Sequence, residues 1–271
     1  MDIKKIALRP AYEKSGIDGG GLSPMLTCMI HDTQPERRFP AVIVVPGGSY
    51  SRCSKREGEP AAVRFYSYGF NAFVLDYSVI GKKFPTALTE LAAAVKYIRE
   101  NAEEFCCTGE IIICGFSAGG HLTASLGVYY NEMNGIYGAD VRPDGVILSY
   151  PVITSGELGH RESTENIAPD ALLKEKISLE KHITEGFPPA FIWHCADDPV
   201  VPVENSLMLA GALSAARVPF ELHVFPKGGH GIALCDTTTV KDNDPRYIDP
   251  TAAQWFGLAV DWINNSALND K

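Results

Sequence analysis

Ile111-Ile112-Ile113-Cys114-Gly115-Phe116-Ser117-Ala118-Gly119-Gly120-His121-Leu122-Thr123-Ala124-Ser125-Leu126 decides the reading of this chain. An unbroken apolar tetrapeptide runs through a Gly-x-Ser-x-Gly turn into a segment that reads as a helix start. A strand, a tight turn and a helix with serine at the apex is the arrangement known as a nucleophile elbow. The turn is so sharp that the serine takes a strained backbone angle, and only small residues two positions to either side avoid a clash. The strain presents the hydroxyl at the top of a sheet. As a bare five-residue string the motif would carry little; the strand before it and the helix after it give it meaning.

On either side of the elbow the chain alternates between short apolar runs and helical patterns. The runs are Leu26 to Ile30, Ala41 to Val45, Ala72 to Tyr77, Ile111 to Cys114, Gly145 to Tyr150, Ala190 to His194 and Phe220 to Phe225. Most are too short for helices, and several are apolar without interruption, as expected of parallel strands covered on both faces. Between them, Pro60 to Tyr68, Pro85 to Glu104, the segment after the elbow, Val203 to Ala216 and Thr251 to Asn265 read as helices. The clearest places Leu88, Leu91, Ala92, Val95 and Ile98 on one face, with Pro85 near its first turn. The alternation predicts an α/β protein, a doubly wound and mostly parallel sheet flanked by helices, in one domain over residues 1–271. Residues 156 to 186 depart from it: the stretch is polar, carries two short helical patterns and is longer than a crossover needs. It is read as a small cap insertion beside the site, with a solvated excursion as the alternative.

A serine hydroxyl is a poor nucleophile at neutral pH and needs a base to take its proton and an acid to orient that base. On this architecture the chain order is serine, acid, histidine. After the run ending at His194 comes Cys195-Ala196-Asp197-Asp198-Pro199-Val200-Val201-Pro202, and after the run ending at Phe225 comes Lys227-Gly228-Gly229-His230-Gly231. Both lie where strands end and loops begin, the edge at which open α/β sheets place their sites. Ser117, Asp198 and His230 are therefore the expected catalytic residues; Asp198 is preferred to Asp197, which would stabilise the turn. His121 is expected to bond neighbouring backbone and His194 to fix the acid loop. No spacing of the other histidines, or of the seven cysteines, suggests a metal, and no cofactor is implied.

Acyl transfer also needs donors aimed at a developing oxyanion. Val45-Pro46-Gly47-Gly48-Ser49-Tyr50 stands where such a loop belongs, before the elbow, and the N–H groups of Gly48, Ser49 and Ala118 are the expected donors. Tyr50, Phe116 and Trp193 are candidates to stack on a sugar ring or pack an acyl group, with core packing preferred for Trp193; Trp255 and Trp262 read as core. Arg52, Lys55, Arg56 and Glu57 read as a solvated turn, with a lining of the site entrance as the alternative.

Composition sets the outer bounds. The 271 residues are 45% hydrophobic and 21% charged, enough for a sizeable core. A net charge of −9 opposes binding to nucleic acid or anionic membranes. No stretch approaches the roughly 18 apolar residues of a membrane span, and the opening Met1-Asp2-Ile3-Lys4-Lys5-Ile6 leads into no secretory apolar core. An odd number of unpaired-looking cysteines fits a reducing compartment, so a cytoplasmic protein is expected, with a small neutral ester as its partner. The composition is compatible with a homo-oligomer.

With its loops placed, the chain resembles the α/β-hydrolase superfamily over nearly its whole length, and within it the small bacterial acetyl esterases and xylan esterases related to hormone-sensitive lipase. The residues that carry the resemblance are Val45 to Tyr50, Glu57-Gly58-Glu59-Pro60-Ala61, Val74 to Val79, Gly115 to Leu122, Trp193 to Ser206 and Phe225 to Gly231. Pro46 departs from the pattern, since the lipase-like members carry a histidine there that supports the loop. The resemblance implies a triad of Ser117, Asp198 and His230 and an acetylated carbohydrate such as a xylo-oligosaccharide as substrate. Alternatives are a general short-chain carboxylesterase, a peptidase-like serine hydrolase and, in another class, a non-catalytic ligand-binding protein on the same fold. Turnover of arylamides would favour the peptidase, and tight binding without turnover the last.

Overall fold

The computed structural model describes residues 1–19, 21–31 and 36–267. Its centre is an eight-stranded sheet in the order β1-β2-β4-β3-β5-β6-β7-β8. The strands are β1 (Asp2–Ala7), β2 (Met25–Ile30), β3 (Phe39–Val45), β4 (Asn71–Asp76), β5 (Cys107–Phe116), β6 (Gly145–Ser149), β7 (Ala190–Cys195) and β8 (Phe220–Phe225). From β4 to β8 every pairing is parallel; β2 runs antiparallel to β4, and β1 antiparallel to β2. The seven apolar runs are all strands, and the sheet is mostly parallel as expected. The eighth strand, β1, has the sequence Asp-Ile-Lys-Lys-Ile-Ala and lacks an apolar run because it is an edge. Its lysines project from a rim that must not pair with another chain.

The helices are α1 (Glu59–Ser67), α2 (Thr86–Glu100), α3 (Ala118–Tyr137), α4 (Arg161–Ile167), α5 (Ala171–Lys176), α6 (Glu204–Ala215) and α7 (Trp255–Trp262). Residues alternate across the pleat of β5: Ile111 and Ile113 join the core beneath α2 and α3, while Ile112, Cys114 and Phe116 join Phe65 of α1 and Trp255 and Phe256 of α7. All five strand residues are fully buried, which is why the run reads as continuously apolar. Along α2 the predicted stripe Leu88, Leu91, Ala92, Val95 and Ile98 is buried, and the helix starts one residue after Pro85. A third core, under α6, packs Leu209 and Leu213 on Ile192 and Leu148. No helix among the described residues is long and apolar enough to cross a membrane.

Four loops leave the carboxyl ends of parallel strands on one edge of the sheet: residues 46–58 after β3, Ser117 after β5, residues 196–203 after β7 and residues 226–235 after β8. The first two and the last two are neighbours in strand order or one strand apart, so the sheet itself assembles them.

Candidate active site

Ser117 sits between β5 and α3 with φ 52° and ψ −116°, a conformation that a β-carbon strongly disfavours. Backbone bonds hold it there: its N–H donates to Ser149 O at 2.9 Å, and its carbonyl accepts from His121 N at 3.0 Å and Val152 N at 3.2 Å. The flanking glycines are sterically required. A β-carbon on Gly119 would strike the carbonyls of Val45 and Pro46, and one on Gly115 would strike Thr123 and Gly119.

The Ser117 hydroxyl lies 2.8 Å from His230 Nε2, and His230 Nδ1 lies 2.7 Å from Asp198 Oδ2. Asp198 Oδ2 also accepts from His194 Nε2 at 3.2 Å, while Oδ1 accepts from the N–H groups of Val200 and Val201, both at 2.9 Å. The carboxylate is sealed from water, whereas the His230 imidazole keeps 15% of its surface. Burial pushes the Asp198 carboxyl pKa up, but the hydrogen bonds from His194 and His230, the charge of His230 and the Val201 N–H outweigh it and hold the group well below the usual carboxylate range. An ionised Asp198 keeps the proton of His230 on Nδ1, leaving Nε2 free to accept from Ser117.

His194 secures the acid loop, as its position at a strand end suggests. Both partners of its Nε2 are acceptors, Asp198 Oδ2 and Val201 O at 2.9 Å, so Nε2 carries the proton and Nδ1 faces Ser206 Oγ at 2.8 Å. Asp197, the aspartate not preferred as the acid, accepts Gly229 N–H at 2.9 Å, while His230 bonds Asp198. The histidine loop turns through three left-handed glycines, Gly228, Gly229 and Gly231.

Beside the hydroxyl, a β-carbon on Gly47 would come within 2.9 Å of Ser117 Cβ, so the loop after β3 touches the nucleophile. Among the described residues the N–H groups of Gly48, Ser49 and Ala118 are engaged by no protein acceptor, while those of Gly47, Ser51, Arg52 and Ser54 are. These three N–H groups are therefore available to an acceptor from outside the protein. The loop is fixed from several sides: Tyr77 O–H donates to Pro46 O at 2.8 Å, and Asn166 Nδ2 donates to Ser49 O at 2.8 Å. Ser49 and Tyr50 are both left-handed, at φ 57° and 58°, a strain these contacts must sustain. Pro46, which lacks the side chain of the lipase-like histidine, is held through its carbonyl instead.

Two expectations need correcting. Phe116 does not face a substrate; it is fully buried against Tyr150 and Trp255, because the pleat of β5 turns it toward α7. Tyr50 is also inside, its hydroxyl 2.8 Å from His121 Nδ1, since the left-handed turn at Ser49 directs the ring down into the core. His121 in turn bonds Ile177 O at 3.0 Å; burial outweighs that bond, lowers its pKa to about 4 and keeps the ring neutral. Trp193 is core, stacked on Trp255 with centroids 5.0 Å apart.

The turn after the Gly-Gly loop is not merely solvated. Arg56 donates to Gly231 O at 3.1 Å and Thr239 O at 2.7 Å, fastening the histidine loop. Glu57 is buried and accepts from Gly47 N and from Tyr150 O–H. A run of four charged or polar residues after a turn carries no sign of this in sequence; the position of Glu57 within the family-like segment Glu57 to Ala61 was the available signal. The 156–186 stretch forms α4 and α5 and is docked on the site through Asn166 and the Ile177 carbonyl. Among the described residues no group of three or more His, Cys, Asp or Glu has the arrangement to hold a metal ion.

The chain is similar to several known proteins. A family model described as BD-FAE matches residues 29–146. The endo-1,4-beta-xylanase B of Butyrivibrio fibrisolvens is 41% identical over 228 residues, which is 80% of this chain and 36% of that protein. The acetylxylan esterase of Xylanibacter ruminicola is 29% identical over 204 residues, 72% of this chain and 41% of that protein. The chain thus spans well under half the length of these two curated relatives. Among solved structures, an acetyl ester-xyloside bifunctional hydrolase from Caldicellulosiruptor lactoaceticus superposes with a TM-score of 0.81 at 33% identity, covering 95% of each chain. A carboxylesterase from Lactobacillus plantarum WCFS1 does so with a TM-score of 0.84 at 30% identity, covering 97% of each.

Proposed function

The chain belongs to the α/β-hydrolase esterases, and from that premise we propose that it is a serine esterase that removes short acyl groups, chiefly acetyl, from carbohydrates such as acetylated xylo-oligosaccharides. The observation that carries the reaction is the unbroken chain of bonds from Ser117 Oγ through the His230 imidazole to the sealed Asp198 carboxylate. His230 Nε2 takes the proton of Ser117 as Oγ attacks the ester carbonyl carbon. The carbonyl oxygen becomes an oxyanion that accepts from the N–H groups of Gly48, Ser49 and Ala118. As the intermediate collapses, the bond from the acyl carbon to the sugar oxygen breaks and His230 gives its proton to that oxygen, which leaves as a hydroxyl. Water then enters, loses a proton to His230 and releases the acid from Ser117 by the same path in reverse. The sugar as substrate is supported by the names of the relatives from B. fibrisolvens, X. ruminicola and C. lactoaceticus. A cytoplasmic location is supported by the seven free cysteines, five of them buried.

The test is an acyl series from acetyl to octanoyl esters, together with acetylated xylo-oligosaccharides, assayed with wild type and Ser117→Ala. The expected result is acetate release from the sugars, a preference for the shortest acyl groups, and a fall of at least about 10⁴-fold in kcat for Ser117→Ala. Substantial hydrolysis by Ser117→Ala would sink the nucleophile assignment. Preference for long chains with no acetate from the sugars would leave the general carboxylesterase reading in place of the carbohydrate one.

A further inference from the structure

Glu57 is only 3% exposed, and its two oxygens each receive one donor: Gly47 N–H reaches Oε2 at 3.0 Å and Tyr150 O–H reaches Oε1 at 2.9 Å. Among the described residues no lysine, arginine or histidine forms an ion pair with it. A carboxylate buried without a counter-ion is a costly choice, and packing alone would be served better by an apolar side chain. Its two donors lead to the two halves of the site. Gly47 lies against Ser117 and immediately precedes the free N–H groups of Gly48 and Ser49. Tyr150 stands edge-on to the His230 ring, with centroids 5.0 Å apart, and its oxygen accepts from Ala233 N at 3.0 Å, three residues beyond His230.

We infer that Glu57 is a positioning residue: its carboxylate sets the orientation of the Gly47 peptide, and thereby the aim of the Gly48 and Ser49 donors, while Tyr150 ties that loop to the loop of His230. A carboxylate is an acceptor at both oxygens, which both of these partners, as donors, require. A carboxamide offers one acceptor and turns an NH₂ on the other donor. The oxyanion donors and the general base are then registered to one rigid group instead of to two independently moving loops.

This inference rests on the serine-esterase reading, which is checked first: an inactive wild type would end that reading, whereas failure of the present inference leaves wild type active. Wild type, Glu57→Gln and Tyr150→Phe are compared in the hydrolysis of an activated acetyl ester. Two inhibitors accompany them: an alkyl boronic acid, which bonds to Ser117 Oγ and places an oxygen where the oxyanion forms, and a planar amide isostere of the ester. For Glu57→Gln, kcat/KM and boronic acid affinity should fall together by about 10–100-fold, with amide affinity unchanged, because only the tetrahedral state uses the misaimed donors. Tyr150→Phe, which keeps the bond from Gly47 to Glu57, should show the same pattern at about 3–10-fold. Loss of amide and boronic acid affinity to the same extent would mean general distortion and overturn the inference. So would a Glu57→Gln enzyme within about threefold of wild type on all readouts, a factor worth less than one hydrogen bond. Should Glu57→Gln fail to fold, Tyr150→Phe decides: an unchanged ratio of boronic acid to amide affinity overturns the inference.

Discussion

Replacing Asp198 by asparagine probes the site through its most constrained group. Oδ1 accepts two backbone N–H groups, from Val200 and Val201, and Oδ2 accepts two imidazole N–H groups, from His230 and His194. Asparagine has one acceptor oxygen to offer the two pairs. The peptide donors belong to the turn itself and cannot withdraw, so the amide oxygen stays with them and the NH₂ faces His230. His230 must then accept at Nδ1 and carry its proton on Nε2, where it can no longer take the proton of Ser117. A base in the wrong tautomer costs about 10⁴ in kcat, or roughly 5.4 kcal/mol at about 1.36 kcal/mol per tenfold. Steady-state hydrolysis of an activated acetyl ester at pH 7 measures this. Asp197→Asn is the control: its oxygen still accepts Gly229 N–H, and kcat should stay within about threefold, as for most exposed substitutions. The Asp198 pKa is depressed on folding, so its contribution to stability is present above the ordinary carboxylate value near about 3.9 and is lost as pH falls below it. Urea unfolding should therefore find Asp198→Asn less stable than wild type at pH 7, with a gap that narrows at about pH 3. A variant that keeps more than about a tenth of wild-type kcat, or a larger loss in Asp197→Asn, would refute the reasoning, since a tautomer defect leaves far less.

Two further outcomes follow from the supports of the loop after β3. His121, neutral in the fold with a pKa of about 4 against an ordinary value near about 6.5, is protonated in the unfolded chain first, so acid should cost wild type roughly 3 kcal/mol between pH 7 and 4 that His121→Gln does not lose; equal slopes in urea unfolding would refute this. Asn166→Ala removes the donor to Ser49 O and should lower kcat by about 5–10-fold with little change in unfolding free energy, the scale of one hydrogen bond; an unchanged kcat would mark the α4 segment as passive.

How much of this could be read beforehand depends on the range of each interaction. The elbow could be read because its signal is local, three glycines and a serine between a strand and a helix, although Ser149 and Val152 hold the Ser117 backbone from outside it. The order of acid and histidine could be read because each follows an apolar strand. Glu57 and Arg56 could not, since a charged turn looks solvated until Tyr150 and Gly231, from distant strands, arrive beside it. Phe116 and Tyr50 were misplaced for a related reason. Which face of β5 looks at α7 is a matter of pleat and sheet order, and where a left-handed turn throws a tyrosine ring is not encoded in the residue type. The strand β1, rich in lysine, lacks the apolar signature because half its environment is water.

The bond from Ser117 to His230 spans 113 residues of chain, and that from Asn166 to Ser49 spans 117. Contacts between residues so far apart in the chain carry a large loop-closure cost. Hydrolysis by the proposed route needs both contacts at once, so recovered turnover in a refolding experiment counts molecules whose distant segments have met.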